Sequence, residues 1–246
     1  MNFKSAYIGY LDILGFGDLI VHNFHGQMVK LYEAAMEKIF QELPRMIGTC
    51  IHKRVNTSII QDSIILWIEA HPTDPEITSL SLYLLLGTIQ ILLEKGFSEG
   101  IPIRGAIACG EISILNKRPP NYSVQAILGL PYLKAYQKEQ GQEWMGCICT
   151  ESVIASLTNE QISDLINERI IIKYKVPQRN HPVKEEYVIV WHTNAIQRDA
   201  EKIVRAKFSA HNKNVDSRDV KYKILNTIKF IKEVPPNQAT ISKIFF

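Results

Sequence analysis

The sequence predicts an α+β fold, and three observations carry that expectation. Apolar, β-branched runs and helix-periodic runs intermix without strict β-α-β alternation; twice, two strand-like runs follow one another as a hairpin; and one apolar segment of helix length separates the hairpins. Hairpins make antiparallel sheet and leave a face for helices to cover, so a sandwich of helices on a sheet is favoured over a doubly wound parallel sheet.

Each element has its own justification. From Ala6 to Phe16, AYIGYLDILGF is apolar at nearly every position except Asp12, as in a strand buried on both faces that runs into a glycine turn. Residues 17–43 place Leu19, Ile20, Phe24, Val29, Leu31, Ala35, Ile39 and Phe40 mostly three or four apart and stop at Pro44, which predicts helix in one or two pieces. Cys50–Ser58 and Ile59–Ala70 read as a hairpin whose second strand starts near Asp62; the polar step Asn56–Ser58 is its available, poorly fitting turn. Ile77–Leu93 is a largely buried helix ending at Gly96, and Ile101–Ile114 is a strand around Arg104. A polar loop over Asn116–Tyr122 leads to a helix over Leu128–Gln140. Met145–Thr150 is a short strand, Glu151–Ile166 one or two helices, and Arg169–Val176 with Glu185–His192 a closing hairpin. Ala195–Ser209 and Val215–Glu233 are helices.

Composition narrows the function classes. With 246 residues, 46% hydrophobic and 22% charged, the chain can bury a real core, which excludes disordered and low-complexity scaffolds. A net charge of +3 is too small for a general polyanion binder, so no nucleic-acid partner is expected, although Ala195–Glu233 concentrates ten Lys/Arg against five Asp/Glu. Cys50, Cys109, Cys147 and Cys149 include no C-x-x-C pair, so neither a disulfide framework nor a zinc site is supported. The longest apolar stretch, Leu80–Leu93, is interrupted by Ser81, Gly87, Thr88 and Gln90 and is shorter than the roughly 18–20 residues of a membrane span. No signal-peptide order is present at the start, and a cytoplasmic protein is expected.

The residues that could carry chemistry begin with Asp12 and Asp62, each a carboxylate in an apolar strand context. Burying an ionised carboxylate costs several kcal/mol unless a cation or donor compensates. Two that converge from neighbouring strands would hold divalent cations; at strand ends they would make local hydrogen bonds instead. Gly15, Phe16 and Gly17 form a turn into a helix whose backbone N–H groups suit phosphate oxygens. Arg104 is a cation in an apolar strand, suited either to clamp a phosphate or to pair with a carboxylate such as Glu111. Lys134 and Glu139 fall on a helix face expected to be solvated, from which Lys134 could reach a ligand. Gly105–Gly110 has P-loop glycine spacing, but Glu111-Ile112 replace the required Lys and Ser/Thr.

In order, YLDILGF, IIQDSI, PIRGAIACGEI and GLPYLKAYQKEQ resemble the class III nucleotide cyclases, and more particularly the pyrimidine cyclases of bacterial Pycsar anti-phage systems. The resemblance covers about residues 5–192, leaving 193–246 as a C-terminal helical extension, in which VKYKILNTIKFI is similar to the last helix of those proteins. It implies a ferredoxin-like βαββαβ core and a head-to-tail homodimer with sites at the interface. It also implies two Mg2+ or Mn2+ ions held by Asp12, Asp62 and the Ile13 carbonyl, with the triphosphate held by Gly15, Phe16, Gly17, Arg104 and Lys134. Under the resemblance the reaction is attack of a ribose 3′-hydroxyl on the α-phosphate with loss of pyrophosphate, and Asp12, Asp62 and Arg104 are the catalytic residues.

The departures point to the base. Where purine cyclases of this class commonly carry a Lys and an Asp, this chain has Ser58 and Ala126; where they carry a helix Asn and Arg, it has Leu133 and Gln137. The sequence therefore suggests UTP as substrate, read by Asn56 and Ser58, with cyclic UMP as an anti-phage second messenger. Cyclic CMP production, or a catalytically silent nucleotide- or protein-binding module, are the alternatives.

Overall fold

The computed structural model describes residues 3–27, 29–30, 33, 37, 55–70, 75–117, 124–179 and 182–237. The helix expected to run on to residue 43, the start of the first hairpin at Cys50, and residues 118–122 of the polar loop lie outside the described residues. Strands β1 (Phe3–Ile13), β2 (Asn56–Ile60), β3 (Ser63–Glu69), β4 (Ile103–Lys117), β5 (Val124–Leu128), β6 (Gly146–Cys149), β7 (Ile171–Val176) and β8 (Lys184–Ile189) make one sheet. Its order is β2-β3-β1-β4-β6-β8-β7, and β5 pairs with β4. Helices are α1 (Phe16–Val21), α2 (Pro75–Ser98), α3 (Leu130–Gln140), α4 (Glu151–Ile154), α5 (Asn159–Asn167), α6 (Asn194–Arg198), α7 (Ala200–Phe208) and α8 (Arg218–Glu233).

The first four strands form the ferredoxin-like unit: β1 lies antiparallel between β3 and β4, β2 hairpins onto β3, and α2 crosses from β3 to β4. β6 then adds parallel to β4, and the β7–β8 hairpin extends the sheet through β8. Alternation along β1 explains its apolar run. Tyr7, Leu11 and Ile13 face the large cluster under α2 and the C-terminal helices, while Ala6, Ile8 and Tyr10 face a smaller one under α3. Gly9 lets α2 lie close to the sheet, since a Cβ there would stand 2.9 Å from Ile89 Cδ1.

Burial explains why α2 is so apolar. Within Ile77–Ser98 an 18-residue window has a mean hydropathy of 1.6, enough by length and composition to cross a membrane, but 72% of that window is buried inside the protein. The sequence count stopped at Leu93 and so undervalued the helix; its fellow residues in the core, among them Leu85, Ile89 and Leu92, account for that apolarity without a bilayer.

Three expectations are corrected in detail. The first hairpin turns at Gln61–Asp62, with Gln61 in the left-handed region (φ 56°), and Asn56–Ser58 are strand. Val124–Leu128, which falls between the expected loop and helix and takes in the expected first residue of that helix, is strand β5 paired to β4, and α3 begins only after Gly129. Ala195–Ser209 is two helices, broken at Asp199. The C-terminal helices share the main core: Val204 and Phe208 of α7 and Ile224, Phe230 and Ile231 of α8 belong to the same apolar cluster as the sheet. Cys109, Cys147 and Cys149 are unpaired thiols.

Candidate active site

β1 ends where three elements converge. In register, Asp12 stands opposite Ser63 on β3 and opposite Arg104 on β4. The Ile13 N–H donates to the Asp62 carbonyl at 3.0 Å, which ties the β2–β3 turn to the end of β1 and brings Asp62 beside Asp12. Diagonally across the same pair of strands, the Tyr10 hydroxyl and Ser63 Oγ lie 2.7 Å apart and fix the same corner.

Electrostatically the corner is over-supplied with acid. The Asp12 side chain is 18% exposed and its carboxyl is pushed up to about 7. Burial is the main cause; Glu139 and Asp62 add repulsion, against which Arg104 and Lys223 pull down. Glu139, expected on a solvated helix face, is instead fully buried at the C-terminal end of α3. The reason is Arg104. Its Nε donates to Glu139 Oε1 at 2.5 Å, its Nη2 pairs with the same carboxylate, and its Nη1 donates to the Gln142 carbonyl at 2.5 Å. Arg104 Nη2 is 3.8 Å from Asp12 Oδ2. Of the two readings open to Arg104, the carboxylate pairing is present, with Glu139 and not the exposed Glu111 as partner. A buried Arg needs a buried carboxylate, so the apolar run around Arg104 was itself a signal for one on a facing element; sequence spacing does not say which.

Beyond Asp12 opens a cavity of about 240 Å³, bounded by Gly15 and Arg104 of the core and by Arg179, Lys213 and Lys223. Gly15 takes the left-handed conformation (φ 77°) that turns the chain into α1, and its open Cα side meets the Lys213 stem, which would stand 3.1 Å from a Cβ. Phe16 and Gly17 open α1; Gly17 faces open space. Sequence reasoning placed the basic excess in the C-terminal segment but not here; α8 is amphipathic enough to predict its packing, and no local signal predicts where it docks.

The other expected residues lie elsewhere in the chain. Asn56 and Ser58 sit on edge strand β2 facing the same side as Trp67 and Ile65, and Asn56 Nδ2 approaches the Trp67 carbonyl at 3.4 Å. Lys134 is exposed on α3 and lines two grooves outside the Asp12 cavity: one with Lys138, Glu151 and Lys184, the other with Gly110, Leu128 and Pro131. Leu133 and Gln137 are exposed beside it, and Leu128, Leu130, Leu133 and Tyr136 leave apolar surface on the same side. One chain thus gathers Asp12, Ile13, Asp62, Arg104 and Gly15, and keeps Asn56, Ser58 and Lys134 apart from them.

The donor set suits a hard divalent cation. Among the described residues no group of three or more His, Cys, Asp or Glu is placed to hold a metal. Asp12, Asp62 and a backbone carbonyl offer oxygen donors only, and an acid-rich corner that raises Asp12 has charge to give to a cation.

The sheet order with its β2–β3 turn against the end of β1 is the fold of class III nucleotide cyclase catalytic domains. The chain superimposes on the guanylyl cyclase Cya2 with TM-score 0.51 at 11% identity, over 78% of this chain and 95% of that one. On the guanylate cyclase domain of RhGC from Catenaria anguillulae in complex with GTP the TM-score is 0.51 at 14% identity, over 78% and 100%. On the dimeric guanylyl cyclase domain of the RhoGC fusion protein from Blastocladiella emersonii it is 0.50 at 14% identity, over 78% and 100%. At these identities the likeness is one of fold. No protein-family model and no curated protein sequence matches the chain.

Proposed function

We propose that the protein is a nucleotide cyclase that converts UTP to cyclic UMP and pyrophosphate. The observation that carries this is the pairing of Asp12 with Asp62 across the Ile13–Asp62 hydrogen bond, in a cyclase fold and beside a cavity lined with cations. Asp12, Asp62 and the Ile13 carbonyl would hold two Mg2+ or Mn2+ ions. Such ions neutralise the triphosphate and lower the pKa of the attacking hydroxyl when bound. Arg104, anchored by Glu139, keeps Asp12 oriented at 3.8 Å without closing a tight ion pair that would compete for the carboxylate. The turn at Gly15–Gly17 and the cavity beyond it receive the phosphates.

A cavity of about 240 Å³ is below the range of roughly 300–1,000 Å³ that encloses a drug-sized ligand, so it has room for phosphates and not for a whole nucleotide. The base and ribose then lie outside it. A homodimer explains this: Asn56 and Ser58 read the base, and Lys134 reaches the triphosphate, from the partner subunit, across the apolar surface at Leu128, Leu130, Leu133 and Tyr136. Uracil presents one N–H between two carbonyls, which short hydroxyl and amide groups can answer; Ser58 and Asn56 supply those groups. Cyclic CMP is the neighbouring product. The resemblance to Pycsar cyclases makes cytosolic, anti-phage second-messenger signalling the context of the reaction.

A non-catalytic nucleotide-binding module is favoured by one observation, the exposed Leu133 and Gln137 where the family's Asn and Arg are expected. Incubating the chain with each of the four labelled NTPs and Mn2+, with chromatography of the products, decides between them. Cyclic UMP as the main product supports the proposal, cyclic CMP corrects only the base, and binding of NTP without any cyclic product overturns cyclase activity.

A further inference from the structure

We propose that the C-terminal segment supplies, through Lys213 and Lys223, the cations that bind the β- and γ-phosphates and the pyrophosphate leaving group. The proposal rests on the cyclase reading and assigns phosphate binding to two residues of the C-terminal extension, beyond the 5–192 segment that holds the expected site residues.

The charge pattern of the cavity carries it. Four cations line it, Arg104, Arg179, Lys213 and Lys223, against two carboxylates, Asp12 and Asp18. Two of the four are already matched: Arg104 by Glu139, and Arg179 by Glu143 and Asp219 at 2.8 Å each. The other two are matched less fully. The Lys213 side chain is buried, its stem lies on Gly15, and its ammonium donates to the Gly100 carbonyl at 2.6 Å, a neutral acceptor that answers one of three N–H groups. Lys223 reaches Glu143 only at 3.6 Å, and Glu143 is shared with Arg179. A buried ammonium without a close carboxylate is costly: burial pulls Lys213 down to about 8, and the Asp18 carboxylate of the same cavity offsets this only in part. A polyanion in the cavity would repay that cost.

The placement is built. Lys213 is held by its neighbours on both sides: the Asn214 N–H donates to Asp18 Oδ2 at 3.2 Å, and Asn23 Nδ2 donates to the His211 carbonyl at 2.8 Å. Met145 N–H donates to Thr227 Oγ1 at 2.9 Å and Asn226 Nδ2 to the Glu143 carbonyl at 2.7 Å, which fixes α8 and therefore Lys223. This places two cations of the extension beside the glycine turn and Asp12. They stand in for the cation absent at Gln137.

The test uses the full chain and Mg2+-tripolyphosphate, a probe with no base or ribose, by calorimetry at fixed salt. Wild type is expected to bind it, and Lys223→Met to weaken binding roughly tenfold or more, as loss of a charge-assisted contact implies. Lys223→Arg is expected to restore it, and Lys229→Met, on the exposed side of α8, to leave it unchanged. Lys213→Met should act in the same way; if it unfolds, as circular dichroism would show, Lys223→Met and Lys223→Arg still decide. Equal affinity in folded Lys223→Met and wild type, or no binding by wild type, overturns the proposal. Tripolyphosphate binding with these losses but no cyclic product from any NTP leaves the phosphate site standing and overturns the cyclase reading alone.

Discussion

Replacing Glu139 by Gln removes one buried charge without changing shape. Arg104 is 9% exposed and Glu139 not at all, and the two make the charge-assisted contacts described above. Removing one partner of a buried pair costs about 3–5 kcal/mol, chiefly because the other charge is left uncompensated. Gln keeps one acceptor oxygen, and Asp12 waits 3.8 Å from Arg104 Nη2 as a second carboxylate, so the low end applies. At about 3 kcal/mol, and roughly 2–4 °C per kcal/mol for a protein of this size, Tm should fall by roughly 6–12 °C. Thermal denaturation at pH 7.5 by circular dichroism measures it. A second consequence follows from the same geometry: Arg104 turns to Asp12 and competes with the divalent cation, so half-saturation by Mn2+ moves to higher concentration. The double variant Arg104→Met/Glu139→Leu should cost less than the sum of its single variants, because no buried charge is stranded. A Glu139→Gln protein as stable as wild type, or a double variant at least as costly as the sum, would refute the reasoning.

The remaining predictions concern metal, assembly and pH. Asp12→Asn and Asp62→Asn should each abolish cyclic nucleotide formation, and Asp12→Asn should raise the Tm of metal-free protein at pH 8 by several degrees, since a carboxyl pushed up to about 7 destabilises the fold once ionised; an active Asp62→Asn protein contradicts the metal assignment. Arg104 lies in the same half-site as Asp12, so those two variants should not complement, whereas Asp62→Asn mixed with Lys134→Glu should recover about a quarter of wild-type activity, half the dimers being mixed with one of two sites intact; no recovery argues against a shared site. His192 is buried, its Nε2 lies 3.1 Å from the Val234 carbonyl, and burial pulls its pKa down to about 4. Because the unfolded state then binds the extra proton, stability should fall as pH drops from about 6.5 toward 4, by roughly 3 kcal/mol in all. Urea denaturation at steps of pH checks this, and His192→Phe should remove that part of the slope.

How far the sequence could be read follows from the range of the interactions concerned. The strand around Asp12, the long helix over Ile77–Leu93 and the closing hairpin were legible because their apolar patterns are local. Asp12 and Asp62 stood out because a carboxylate in an apolar run conflicts with its surroundings. β5 was missed because Val124–Leu128 is short and adjoins a helix with the same apolar density, so only pairing with β4 defines it. Glu139 was misread because helix periodicity says which face a residue takes but not what covers that face; Arg104 covers it from 35 residues away. Lys213 and Lys223 were invisible as site residues for the same reason at longer range.

The fastening of the first turn by the C-terminal segment has a consequence for how the protein comes to be made. Asp18 waits for Asn214, 196 residues later in the chain, and Asn23 for His211, 188 residues later. Contacts so distant in sequence form slowly, because the loop they close must be ordered first. During synthesis the glycine turn, Asp12 and the β2–β3 corner emerge long before the lysines that face them, so the cation-lined cavity is finished only when α8 docks. A chain stopped before α8 would carry both aspartates and still lack the complete cavity, which ties the assembly of this corner to the docking of α8.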